Sequence, residues 1–198
     1  MDALPGFVMA GIALAGSPGP NTLSLAAAGA AFGARRVMAY FIGLLLGMVV
    51  VMAVVAAGLV GMVLAVPGAT PVVTVAAALY FIYLAWRIAT APPLGEGTGQ
   101  GKPPSFVAGV MLSLVNPKGY AAMAALFSGF VLVHERIAVD AMTKIVVLVV
   151  VIAAVNILWL QMGALLTRYF RDPRTSRIIN VAFAILLLAS VALAVMAA

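Results

Sequence analysis

The sequence has no cysteine, one histidine and only five acidic residues among its 198. Without cysteine there is no disulfide framework, no thiol nucleophile and no cysteine metal site. The one histidine, His134, stands in His134-Glu135-Arg136 with no metal-binding companion, so it is read as a solvated residue without a role. Charge is equally scarce: Asp, Glu, Lys and Arg make up 8% of the chain, where a soluble domain carries about 25%. So few charges cannot coat a soluble globule, and the apolar surface must face lipid. What fills the chain instead is hydrophobic, 66% of all residues, with a mean hydropathy of +1.23. The net charge of +6 would suggest nucleic acid in a soluble protein. Here most basic residues sit at the ends of apolar segments, so a cytoplasmic-side bias explains them and no nucleic-acid partner is expected.

Six apolar stretches, about 3–32, 38–64, 70–90, 105–133, 143–166 and 178–197, are each near or above the ~20 residues that cross a bilayer. Their length favours helices, since barrel strands would be short and alternating. Asp2 stands where a secretory signal would carry Lys or Arg, so Ala3–Gly16 is read as part of the first helix. Ala91–Pro104, with four prolines and four glycines, reads as a flexible cytoplasmic linker between two three-span halves, 1–90 and 105–198, of one transmembrane domain. Arg35, Arg36, Arg87, Lys102, Arg168, Arg171, Arg174 and Arg177 follow spans one, three and five, against Arg136 and Lys144 on the other side. The positive-inside rule then places both termini outside the cytoplasm. Halves with an odd number of spans must be inverted if they are repeats. Sliding residues 7–30 by 99 positions pairs Phe7 with Phe106, Val8 with Val107, Pro18 with Pro117 and Ala26 with Ala125. The expected fold is therefore an all-α integral membrane protein of six helices, arranged as two inverted three-helix repeats.

Both aligned spans are interrupted at the same place. The first reads Gly16-Ser17-Pro18-Gly19-Pro20-Asn21, and two prolines so close disfavour a continuous helix. The second reads Asn116-Pro117-Lys118-Gly119. Paired Gly/Pro interruptions in corresponding spans are a pointer to a transporter site at the repeat interface. Lys118 lies about 20 Å beyond Ser105 if the segment is helical, a depth at which an ammonium is costly unless paired or watered. No acid falls inside a span: Asp2, Glu96, Glu135, Asp140 and Asp172 read as loop or span-end residues. A mobile anion such as a substrate carboxylate would complete Lys118, helped by half-helix N-termini at the breaks. Asn156 and Gln161 in span five face either this site or another helix. Gly29-x3-Gly33 and Gly43-x3-Gly47 have the spacing of close helix packing.

These motifs resemble the LysE/RhtB family of bacterial amino-acid exporters. The resemblance rests on Ser17-Pro18-Gly19-Pro20-Asn21, Asn116-Pro117-Lys118 and Tyr83-Leu84-Ala85-Trp86-Arg87, and covers nearly the whole chain. It implies a six-span secondary exporter of the bacterial inner membrane, driven by protons and oligomeric, with no cofactor, metal or catalytic residue. Many members carry Asp where this chain has Asn156. That asparagine and Ala85–Thr90 look most like the cysteine/O-acetylserine exporter branch, which implies a small neutral substrate. On this reading Ser17, Pro18, Gly19, Pro20, Asn21, Asn116, Pro117, Lys118, Asn156 and Gln161 line the substrate site. Lys118 takes the carboxylate, and Asn21, Asn116 and unwound carbonyls take the ammonium. The rival is a non-transporting membrane scaffold, which expects a straight bundle with Lys118 paired to a partner's acid.

Overall fold

A computed structural model describes residues 3–58, 102–134 and 136–165, with scattered positions between 75 and 90 and between 174 and 189. Most of spans three and six, of the linker and of the Arg168–Arg177 loop lies outside the described residues. Within them all regular structure is helical, with no strand. The α-helices are α1 Leu4–Gly16, α2 Pro20–Phe32, α3 Met38–Ala56, α4 Phe106–Leu114, α5 Pro117–Gly129 and α6 Ile137–Leu165, with a 3-10 turn at Ala34–Val37 before α3. The segments Ala34–Ala56 and Ile137–Leu165 are long and apolar enough to cross a membrane, and α4 with α5, bent by 61° at the break, makes a broken span or a re-entrant loop.

Both breaks have local causes. Pro20 is the first residue of α2, where its missing N–H breaks no helical hydrogen bond, and Gly19 before it is fully extended. Thr22 closes the turn: its hydroxyl accepts the Gly19 N–H at 3.0 Å and donates to the Gly19 carbonyl at 3.1 Å. Pro117 likewise starts α5, with the Asn116 side chain accepting the Gly119 N–H. The two half-helices therefore begin at Pro20 and Pro117, so the residue matching Pro117 in place is Pro20, not the Pro18 that the 99-residue alignment selects.

Within span two, expected over 38–64, α3 ends at Ala56 and Gly58 turns the chain with φ +70, while 59–64 lie outside the described residues. One span boundary shifts. Span five was expected from 143, but α6 starts at Ile137 and takes Asp140 into its first turn. Its 29 residues extend about 44 Å at 1.5 Å each, well beyond a ~30 Å hydrocarbon core.

The packing is reciprocal between residues 3–58 and residues 106–165. Helix α3 packs on α4 and α5, and α6 packs on α1 and α2. Glycines allow the closest approaches. A Cβ on Gly43 would strike the Phe106 backbone and one on Gly109 would strike Tyr40 and Leu44, so α3 and α4 meet backbone to backbone. On the other side Gly163 of α6 abuts Ala26, and Gly29 abuts Leu160. Gly33 plays no part in packing; it ends α2 with φ +78 in open space. Outward, Met9, Ile12, Val107, Met111, Val146, Val150 and Leu158 are exposed, as an apolar surface facing lipid requires.

Candidate functional site

The two breaks meet. Lys118 reaches from the start of α5 to the end of α1, where its Nζ donates to the carbonyls of Ser17 at 2.6 Å and Pro18 at 3.1 Å. The Ser17 and Pro18 carbonyls are free because α1 ends at Gly16 and Ser17 is extended, while the N–H groups missing at Pro18 and Pro20 would have served the carbonyls of Leu14 and Gly16. The neighbouring carbonyls are satisfied as well. Ser17 N–H donates to Ala13, the Ser17 hydroxyl to Leu14 at 2.9 Å and the Trp159 indole of α6 to Gly16 at 3.3 Å. The ammonium thus lies against carbonyl oxygens at the C-terminal end of α1, where the helix dipole favours positive charge. Gly19 leaves it the room: a Cβ there would lie 2.7 Å from Lys118 Cδ and 2.8 Å from Nζ.

A chain of buried amides ties the breaks a second time. Asn116 Nδ2 donates to Asn21 Oδ1 at 3.0 Å, Asn21 Nδ2 donates to Ser113 Oγ at 2.9 Å, and Ser113 Oγ donates to the Leu44 carbonyl at 2.8 Å. The side-chain oxygens of Asn21 and Asn116 each accept one bond, from Asn116 Nδ2 and the Gly119 N–H, and keep a lone pair. Buried polar atoms of this kind need partners, and each amide nitrogen and the hydroxyl of the chain has at least one.

A cavity of about 50 Å³, room for a few water-sized groups, opens beside these contacts. Gly19, Asn21, Thr22, Asn116, Lys118, Gly119 and Asn156 give it a polar lining, and Leu14, Ala15, Met48, Ala122, Met123 and Ile152 an apolar wall. Asn156 of α6 is buried to 3% exposure, and its Nδ2 has no hydrogen-bond partner among the described residues. Of the remaining expected site residues, Ser17 supplies a carbonyl to Lys118, Pro20 is buried at the start of α2, and Pro18 is exposed. Pro117 is half-buried in the second break. Gln161 stands apart: it is exposed on α6 and does not line the cavity.

Sequence reasoning missed two features. Thr22 has a readable signal, since a hydroxyl three residues after an extended Gly19 fits the spacing of a capping box. The second is a buried ion pair. Lys144 Nζ contacts Asp140 Oδ2 at 2.6 Å, donates to the Phe127 carbonyl at 3.0 Å, and lies 5.6 Å from the centre of the Phe127 ring. Asp140 Oδ1 accepts the N–H groups of Leu132 and Val133 at 2.6 and 2.9 Å. Lys144 is 3% exposed, so Lys118 is not the only cation taken out of water. The pair pins the end of α5 and the following connection to α6. Its signal was the four-residue spacing of Asp140 and Lys144, hidden because His134-Glu135-Arg136 and Asp140 together read as loop before a span starting at 143.

Relatives of known name share this chain's length. It is 32% identical over 173 residues to the cysteine/O-acetylserine efflux protein of Escherichia coli O139:H28, covering 87% of each chain. The proteins of the same name from Escherichia coli K12 and Shigella flexneri are 32% identical over 172 residues, covering 86% of each. No solved structure matches significantly. The family described as LysE type translocator matches residues 12–197, and this chain, a membrane transporter and not an enzyme, belongs to that family.

Proposed function

We propose that this chain exports small neutral amino acids or close derivatives across the bacterial inner membrane by alternating access, coupled to the proton gradient. The observation that carries the reading is the meeting of the two broken segments around one polar cavity, with Lys118 of the second break against the carbonyls of the first. The names of its relatives, cysteine/O-acetylserine efflux proteins, support the direction and the substrate class. An ammonium has three N–H donors. Two of those on Lys118 hold Ser17 and Pro18, and the third is left for a substrate carboxylate. The remaining lone pairs of Asn21 and Asn116 receive the substrate ammonium.

A carboxylate on that third N–H competes with the two carbonyls for the ammonium, so binding draws Lys118 away from the first break and lets the breaks part. That differential contact is what a two-state carrier needs for a ligand to shift its populations. The reciprocal packing of α3 on α4 and α5, and of α6 on α1 and α2, supports a reading as two inverted three-span halves, 1–90 and 105–198, joined by a cytoplasmic linker at 91–104. Both termini are then extracytoplasmic, and movement of one half against the other exposes the breaks to each side in turn.

The test is transport by the purified protein in proteoliposomes. Vesicles preloaded with unlabelled O-acetylserine should accumulate the labelled compound by counterflow, and an imposed pH gradient should accelerate net flux. Counterflow no greater than in protein-free vesicles, for O-acetylserine, cysteine, serine and alanine alike, would refute export. Counterflow without an effect of the pH gradient would refute only the proton coupling.

A further inference from the structure

Among the polar side chains lining the cavity, Asn156 differs in one respect. Asn21 and Asn116 are bonded to each other, Thr22 to Gly19, and Lys118 to Ser17 and Pro18. Asn156 is as buried as Asn21, Asn116 and Thr22, at 3% exposure, and its amide Nδ2 has no partner among the described residues. A buried donor left unpaired bears the full cost of its desolvation, and an apolar side chain of the same shape would remove that cost. Its helical neighbours Ile152, Val155 and Leu160 are buried and apolar, so an apolar residue would suit this face of α6. Among the described residues nothing offsets that cost, which leaves the donor open to a ligand in the cavity.

We propose that Asn156 is the specificity-determining residue of the cavity, its Nδ2–H donating to an uncharged oxygen acceptor on the substrate side chain, an ester carbonyl or a hydroxyl. The inference rests on the export reading above and names the part of the substrate that the reading leaves open. Lys118 is the one charged residue lining the cavity among those described, and no carboxylate faces it. A cationic side chain would enter without a counter-charge and an anionic one would compete for Lys118, so both are disfavoured. Met48, Met123, Ala122 and Ile152 complete the wall and tolerate a short apolar stem. What fits is a small amino acid whose side chain is neutral and carries one acceptor. An alanine side chain fits the wall but leaves Asn156 unpaired, and such an unpaired group is what gives a polar site its discrimination.

The experiment compares initial export rates of O-acetylserine and alanine in proteoliposomes, with the melting temperature of the substrate-free protein measured alongside. Asn156→Leu should lower the rate ratio of O-acetylserine to alanine by about tenfold, the worth of one buried hydrogen bond. It should also raise the melting temperature without substrate, because the orphan amide is gone. Asn156→Asp, nearly the same shape but an acceptor only, should lower the same ratio. A ratio unchanged in both variants overturns the proposal, and so does a fall in the melting temperature of Asn156→Leu, which would mean the amide holds the fold together. Failure of the export reading itself is distinguishable, since wild-type vesicles would then move neither compound.

Discussion

Lys118 Nζ lies 2.6 Å from the carbonyl oxygen of Ser17, across 101 residues of chain. This bond joins the starts of two interruptions that local sequence creates independently. It also resolves how a lysine can sit in a span without an acid: backbone oxygens left free where α1 ends take the place of a carboxylate.

Removing that ammonium should abolish directed export. Lys118→Met keeps the length of the side chain and loses its charge-assisted bonds, each worth about 1.5–3 kcal/mol, so flux at matched folded protein should fall at least about tenfold. Lys118→Arg should be impaired too, because a planar guanidinium cannot replace a compact ammonium beside Gly19. Near-normal initial rates in Lys118→Met would eliminate Lys118 as the anion anchor and leave backbone N–H groups for that role.

Two glycine substitutions should separate function from stability. In Gly19→Ala the new Cβ meets the flexible end of Lys118, which can move aside, so the protein should fold while transport falls. In Gly43→Ala it meets the Phe106 backbone, which cannot, and overpacking of this kind costs about 1–3 kcal/mol or more. Thermal unfolding in detergent measures both. Equal destabilisation by the two would show that Gly19 serves packing and not the freedom of Lys118.

The Asp140–Lys144 pair should be asymmetric in its loss. Asp140→Asn keeps an oxygen for the Leu132 and Val133 N–H groups but strands the Lys144 ammonium, which is 3% exposed, at a cost of about 3–5 kcal/mol. Lys144→Met leaves Asp140 with its two backbone donors and should cost less. The double variant Asp140→Asn/Lys144→Met should recover much of the stability lost in Asp140→Asn. Additive losses in a double-mutant cycle would mean that the two residues do not act as a pair.

Orientation can be read chemically, and with no native cysteine the protein itself contributes no background labelling. Cysteines placed at Thr175 and Ala198 should respond oppositely to an impermeant thiol reagent on intact cells, with Ala198→Cys labelled and Thr175→Cys protected. The reverse pattern would invert the assigned topology.

Membrane class and the two break points were legible in the sequence, because their causes are local. A chain with 8% charged residues has no soluble way to cover itself, and proline interrupts a helix through its own ring and missing N–H. Gly43 and Gly47 likewise announced close packing through their spacing alone. What the tertiary structure decided is which face of each helix looks inward. In water an apolar stripe marks the buried side, but in lipid both sides of a helix are apolar, so periodicity loses that information. Asn156 and Gln161, both polar and five residues apart, were indistinguishable for this reason. The contacts of Gly163 with Ala26 and of Gly29 with Leu160 set the rotation of α6, turning Asn156 into the cavity and leaving Gln161 outside. The partner of Lys118 was decided in the same way: its charge requires oxygen atoms nearby, and only the packing of α5 against α1 determined that those oxygens belong to Ser17 and Pro18.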